Sequence, residues 1–298
     1  MKNILRQIAF LFFLIPIPLP TYAQAHEMEQ NMFESMRESD KAVVVAVHAG
    51  SNDAMTLQRF KRFNEQLRTV FPNCEFREAW TSKTTDTHAN IYAPDMLLSQ
   101  LRKEGYTHVL VQPSSIANDN DMQYLRSTVE AAKDMFKQIR IGEPLLNSIA
   151  DYERVLSITA AAYGKEKAAN VLMCNTSTYE EENQIAMLNY VMRDKGMANW
   201  HAGSTNGYPS IESLIRQLKM GKLKKVHLIP FSFSDGMQDM TNNMTQWTQA
   251  LEKAGYKVTT DTHCIGDLNE IIDIYRQHCK HAEEFRTLTA KERQLIKR

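Results

Sequence analysis

Short runs of Val, Ile, Leu and aromatic residues recur along this chain, and between them apolar residues return every third or fourth position. A run of strand length followed by a segment of helical period is the signature of a parallel sheet covered by helices. On this pattern strands are expected at residues 42–47, 75–80, 107–112, 139–142, 169–174, 199–202, 225–233 and 257–262. Helices are expected at 54–71, 94–104, 121–137, 148–162, 180–195, 211–220, 239–254 and 268–281. Ser148 ahead of Asp151, and Thr178 ahead of Glu181, have the spacing of capping boxes at two of the helix starts.

A faint internal repeat divides the pattern in two. Ser99-Gln100-Leu101-Arg102 and Arg216-Gln217-Leu218-Lys219 stand at the same offset as Pro113 and Pro230, so helix and strand come into phase together. The first strands align at a different offset, one that sets His48 opposite Asn175. The expected fold is α/β, with two similar doubly wound parallel-sheet lobes at 41–146 and 147–298, the second carrying a C-terminal helix and tail. The ligand is expected in the cleft between them, at the carboxyl ends of the strands.

Composition adds a compartment and removes some partners. Residues 1–25 have the order of a secretory signal, with Lys2 and Arg6, an apolar run from Ile8 to Leu19 and Ala23-Gln24-Ala25 for cleavage, followed by an N-terminal extension at 26–40. The apolar run, interrupted by Pro16, Pro18 and Pro20, is short for a membrane span, so an exported, periplasmic protein without a membrane span is expected. Thirty-five basic residues balance 35 acidic ones, which leaves no field to attract nucleic acid. Cys264 and Cys279 flank a helix whose rise alone holds them too far apart for a disulfide, and Cys174 reads as a buried thiol or a soft metal ligand.

Several side chains could carry chemistry. His48, in Val47-His48-Ala49-Gly50-Ser51, is expected at an exposed loop tip, as a ligand contact or as a plain turn histidine. His201 lies on or just past a later strand aimed at the same cleft, whereas His227 alternates with Val226 and Leu228 as a structural residue would. His278 and His281 are expected to cap the last helix or face solvent. Met237, Met240 and Met244 fall at helical spacing, either as packing or as a thioether edge beside a macrocycle, with Phe231, Phe233 and Trp247 as stacking surface.

Four segments together resemble one family. Gly142-Glu143-Pro144-Leu145-Leu146-Asn147-Ser148 with Asp151-Tyr152, Phe76-Arg77-Glu78-Ala79-Trp80-Thr81-Ser82, Tyr208-Pro209 before a helix, and Val226-His227-Leu228-Ile229-Pro230 stand in the order found in the CbiK-type anaerobic sirohydrochlorin cobaltochelatases. The resemblance runs from about Lys41 to Cys279 and implies insertion of a divalent metal, Co2+ or Fe2+, into a tetrapyrrole. It also implies metal-handling His and Glu side chains in the second lobe, where this chain has Asn175, Asn206 and Gln238. Amides coordinate metals weakly and take no proton at neutral pH.

Three readings follow. The first is a periplasmic tetrapyrrole-handling protein that binds haem or a related metal tetrapyrrole through His48, His201, Met237 and Ser115, partnered by an outer-membrane or periplasmic haem or cobalamin uptake system. In the second, an exported chelatase uses a relocated His48 and Asp121 site, with His48 as metal ligand. The third is a catalytically dead pseudoenzyme or other small-ligand binder.

Overall fold

The computed structural model describes residues 27–81, 92–176, 178–235 and 237–287. The expected signal segment lies outside these residues. Among the described residues eight of the ten strands and all eight α-helices follow the alternation that the hydrophobic pattern predicts. In the first lobe β2 (Ala42–His48), α1 (Ala54–Arg68), β3 (Glu75–Trp80), α2 (Pro94–Lys103), β4 (His108–Pro113), α3 (Asn120–Ala131) and β5 (Gln138–Ile141) form a parallel sheet in the order β3-β2-β4-β5. The second lobe repeats this order as β7-β6-β8-β9, from β6 (Ala169–Cys174), α5 (Tyr179–Asp194), β7 (Trp200–Ser204), α6 (Ile211–Met220), β8 (Lys225–Phe231), α7 (Met237–Lys253) and β9 (Lys257–Thr260). Each sheet reverses its winding between its first and third strands, which opens a crevice at their carboxyl ends.

Both capping boxes form: Ser148 and Asp151 open α4 (Ile149–Tyr163), and Thr178 and Glu181 open α5. α3 ends six residues before the pattern predicts. A 3-10 turn at Lys133–Met135 follows it and brings the chain into β5. A short antiparallel ribbon that the pattern does not announce, β1 (Glu27–Glu29) with β10 (Phe285–Thr287), joins the two ends of the described chain.

Two helices cross between lobes. α4 follows the first sheet and packs against α5 of the second lobe, while α8 (Asn269–Glu284) follows the second sheet and packs against β4 and β5 of the first. The boundary near residue 146 therefore marks where one sheet ends, and sequence order does not give the packing of α8. The inner faces of both sheets share one apolar core, in which Val44, Ala46, Phe60 and Phe63 meet Leu172, Phe233 and Tyr275. The outer faces have separate cores, built on Val43, Val45 and Val47 in the first lobe and on Ala169, Val171 and Met173 in the second.

Candidate functional site

Between the lobes lies a cavity of about 410 Å³, walled by the loops that follow β2, β4, β6 and β8 and by α5. The first lobe contributes Ala49, Ser114, Ser115, Ile116, Asp119 and Asp121. From the second come Cys174, Asn175, Thr176, Glu181, Ile185, Leu188, Phe231, Phe233 and Asp235. The connection after β5 closes the wall: Leu145 N donates to Ser115 O at 3.0 Å and Leu146 N to Ile116 O at 2.9 Å, which sets Leu146 in the cavity lining.

Asn175 and Asn206 meet. The Asn206 Nδ2 amide donates to Asn175 Oδ1 at 2.7 Å, and Thr205 Oγ1 donates to the same oxygen at 3.3 Å. Asn175 Nδ2 in turn donates to Asp235 Oδ1 at 3.3 Å. Gln238 does not join them; it is exposed on α7 and bonds to Asn242 Oδ1 at 3.0 Å. The polar residue that β8 delivers to the cleft is Asp235. Its N–H donates to Ser232 Oγ at 2.9 Å, and its carbonyl lies 3.1 Å from Thr56 Oγ1 and 3.4 Å from Arg59 Nη1 of the first lobe.

Carboxylates face the cavity from both sides. Burial pushes Asp119 up to about 6, with Asp121 and Glu181 adding repulsion, even though its side chain caps α3 by accepting from Met122 N at 2.8 Å. Burial likewise raises Asp235. Glu181 is engaged as the capping carboxylate of α5, accepting from Thr178 N at 2.9 Å.

His48 is not at an exposed loop tip. It is 1% exposed, its Nδ1 lies 2.8 Å from Ser114 Oγ and its Nε2 3.0 Å from Asn64 Oδ1, and its ring stacks on Phe60 at 4.2 Å. Burial lowers its pKa to about 4, so at neutral pH it is an uncharged imidazole with both nitrogens engaged. That geometry leaves no lone pair for a metal and corrects the expected pairing with Asp121, which does line the cavity.

The origin of the misplacement is one residue of register. Val43, Val45 and Val47 face the outer core of the first lobe as Ala169, Val171 and Met173 face that of the second. The facing pattern thus matches His48 with Cys174, not with Asn175, and a one-residue shift turns a strand side chain to the opposite face.

The other expectations divide. Ser115 lines the cavity, as do Phe231 and Phe233. His201 is half-buried on β7, outside the cavity wall, and burial lowers its pKa while Gln217 of α6 opposes the shift. Trp247 and Met240 are buried, and Met244 packs with Trp247 in the outer core of the second lobe; the side chain of Met237 lies outside the description. His227 is structural, with ring nitrogens 2.9 Å from Thr259 Oγ1 and from Asp261 Oδ2. His278 bridges Glu143 O and Asp151 Oδ1 instead of capping its helix. The four cysteines are free, and burial raises the thiol of Cys174.

The model of the cobalt chelatase (CbiK) family matches residues 41–284. The chain belongs to the CbiK cobalt chelatase family. A sirohydrochlorin cobaltochelatase, CbiKC, of Nitratidesulfovibrio vulgaris is 27% identical over 252 residues, which cover 80% of this chain and 89% of the relative. The sirohydrochlorin cobaltochelatase of Salmonella typhimurium is 23% identical over 199 residues, covering 65% and 75%. Among solved structures, SirB from Bacillus subtilis with Fe3+ superposes with a TM-score of 0.59 at 14% identity, over 82% of this chain and 96% of that one. The sirohydrochlorin chelatase SirB of Bacillus subtilis subspecies spizizenii in complex with cobalt gives 0.56 at 11% identity with the same coverage. These likenesses establish the two-lobed chelatase fold.

Within that fold, this CbiK-family chain lines its cleft with amides and carboxylates. Among the described residues the cavity wall includes no imidazole, and no group of three or more His, Cys, Asp and Glu side chains is placed to hold a metal ion. Asp119 stands beside Asp121, at the place where the repeat points, whereas Asp235 belongs to no matching motif. The signal for Asp235 is its position: like Asp119, it follows the third strand of its lobe and precedes the next helix.

Proposed function

We propose that this CbiK-family protein binds a metal tetrapyrrole, haem or a related macrocycle, in the inter-lobe cleft outside the cytoplasm, and that it inserts or removes metal slowly. The observation carrying this reading is the Asn206 to Asn175 hydrogen bond at the cavity wall, where the family resemblance implies Glu and His. A metal insertion site must hold a desolvating cation and accept two pyrrole protons. The amide pair does the first weakly and the second not at all. Asp119 and Asp235 supply oxygen donors and a residual proton acceptor toward Co2+ or Fe2+ as substrate, which is why slow turnover is proposed and not none.

The cavity suits a flat ligand because Ile116, Leu146, Ile185, Leu188 and Phe231 add apolar surface to the polar wall. Burying such surface contributes on the order of 25 cal/mol per Å², so micromolar affinity requires only part of a macrocycle face. With His48 and His201 both outside the cavity wall, binding is expected without histidine ligation to iron. The periplasmic setting rests on the leader-like order of residues 1–25, and an outer-membrane or periplasmic uptake system for haem or cobalamin is the proposed recipient.

The test is an absorption titration of the mature protein with haem and with metal-free porphyrin, paired with a cobalt insertion assay. Saturable binding of both, with slow insertion, is the expected result. Failure to bind any tetrapyrrole removes the reading. Insertion as fast as that of a CbiK-family enzyme carrying His and Glu overturns its kinetic part.

A further inference from the structure

We propose that Arg59 and Thr56, on α1 of the first lobe, are positioning residues for Asp235 in the second: they grip the turn between β8 and α7 by its backbone and so set where the Asp235 carboxylate stands in the cleft. This deepens the slow-turnover reading above and rests on it, since Asp235 is there a donor to the metal and a proton acceptor.

From its own lobe the turn is tied by Ser232 and Asn175. The Asp235 N–H donates to Ser232 Oγ at 2.9 Å, and Asp235 Oδ1 accepts from Asn175 Nδ2 at 3.3 Å. The Asp235 carbonyl is held from the other lobe, with Thr56 Oγ1 at 3.1 Å and Arg59 Nη1 at 3.4 Å. Nη1 also donates to Thr56 Oγ1 at 3.4 Å. The hydroxyl has one proton, which Asp53 Oδ2 at 2.9 Å attracts as well, so the guanidinium keeps the carbonyl bonded when the hydroxyl turns to Asp53. Arg59 Nε is fixed meanwhile by Asp267 Oδ1 at 2.9 Å, in the connection between β9 and α8. One guanidinium thus ties two segments of the second lobe to α1.

Stability does not account for this residue. Arg59 is fully buried, and its Nη2 has no hydrogen-bond partner among the described residues. A buried ion pair gains little over apolar packing, and an unpaired buried donor is a cost in itself. What a guanidinium supplies and an apolar side chain cannot is a fixed fork of donors and a positive charge. Both act on the same turn: the fork reaches the Asp235 carbonyl, and the charge opposes the rise that burial imposes on the Asp235 carboxyl.

The experiment measures Co2+ insertion into sirohydrochlorin by the mature full-length protein, each variant being assayed below its melting temperature. Asp235→Asn should lower kcat by about tenfold or more while KM for sirohydrochlorin stays within about twofold. Arg59→Gln should reproduce that split, and Arg59→Lys, which keeps the charge and a donor, should recover part of the rate. In the Asp235→Asn background, Arg59→Gln should change kcat by less than about twofold, because residues acting as one unit are not additive. A structural role would slow both backgrounds alike. Should Arg59→Gln not fold, Thr56→Val runs the same cycle. Arg62→Gln is the control: Arg62 bonds to Gly266 O and lies near Asp267, so its loss should lower stability and leave the rate unchanged. Equal losses in both backgrounds, or full activity in both Arg59→Gln and Thr56→Val, overturn the positioning role and leave the cleft reading standing. Asp235→Asn as fast as the unmodified protein overturns it as well, with tetrapyrrole binding untouched. Absence of insertion by the unmodified protein removes this inference together with the slow turnover.

Discussion

Asn206 donates its side-chain amide to the side-chain oxygen of Asn175 at 2.7 Å, joining the loops after β6 and β7 at the wall of the cleft. Both residues are exposed, so the contact orients the wall and does little for stability. Replacing the pair by Asn175→His and Asn206→Glu supplies a metal ligand and a base in one step. Cobalt insertion should rise by about 10²-fold or more, the usual contribution of general base catalysis, with a small change in melting temperature. An unchanged insertion rate in the folded double variant refutes the role given to the amide pair.

His48 belongs to the core. His48→Ala deletes a buried ring and strands Ser114 Oγ and Asn64 Oδ1, so it should destabilise the protein by about 2–4 kcal/mol in chemical denaturation. The haem spectrum of whatever folds should match the unmodified protein. A shifted Soret band would return His48 to the ligand set.

The same ring gives an acid signature. Its folded pKa of about 4 lies below the ordinary 6.5, so the unfolded chain takes up the proton first as pH falls. Its neutral form favours the fold fully above pH 6.5. Between 6.5 and 4 that preference erodes, by up to about 3 kcal/mol. Denaturation midpoints measured across this window should show the slope in the unmodified protein and a smaller one in His48→Asn.

Buried Arg59 of α1 and partly buried Asp267 of the second lobe form an inter-lobe ion pair at 2.9 Å. Burial alone would raise Asp267, but Arg59 beside it and the Cys264 N–H outweigh burial and hold the carboxyl below its usual range. Its contribution is therefore present above the ordinary carboxylate range and is lost as pH falls through the lowered folded value. Arg59→Ala leaves Asp267 with Arg62 Nη2 at 3.6 Å and the Cys264 N–H as its remaining partners and should cost about 2 kcal/mol. Arg59→Met with Asp267→Asn should cost less than the sum of the single substitutions in a double-mutant cycle.

Gly142 tests the motif between lobes. A Cβ there would lie 1.9 Å from Gln112 Oε1, and Gln112 spans the connection by donating to Pro113 O at 2.9 Å and Glu143 O at 3.1 Å. Gly142→Ala should displace that side chain and destabilise by about 1–3 kcal/mol, measurable as a lowered denaturation midpoint. No change in midpoint would mean that Gln112 finds an equivalent position.

The fold was largely legible because the central strands are short apolar runs and several helices carry their own start signal, as Ser148 and Thr178 show. Asn175 and Asn206 were legible as a pair through motif positions alone. His48 was not, because facing depends on strand register, and so faint a repeat fixes register only to within a residue. Asp235 was hidden for a related reason: its importance comes from Thr56 and Arg59, which lie in the other lobe and carry no signal near residue 235.

The crossing of α8 sets the order in which the molecule can be completed. As the chain emerges from the ribosome, the first sheet forms with β4 and β5 still lacking the helix that covers them, because that helix is made last. Domains usually finish from the amino end, but this first lobe waits for the carboxyl end of the protein. A chain cut after β9 should therefore yield no stable first lobe, and the first half expressed separately should become soluble only when the second half supplies α8 to it.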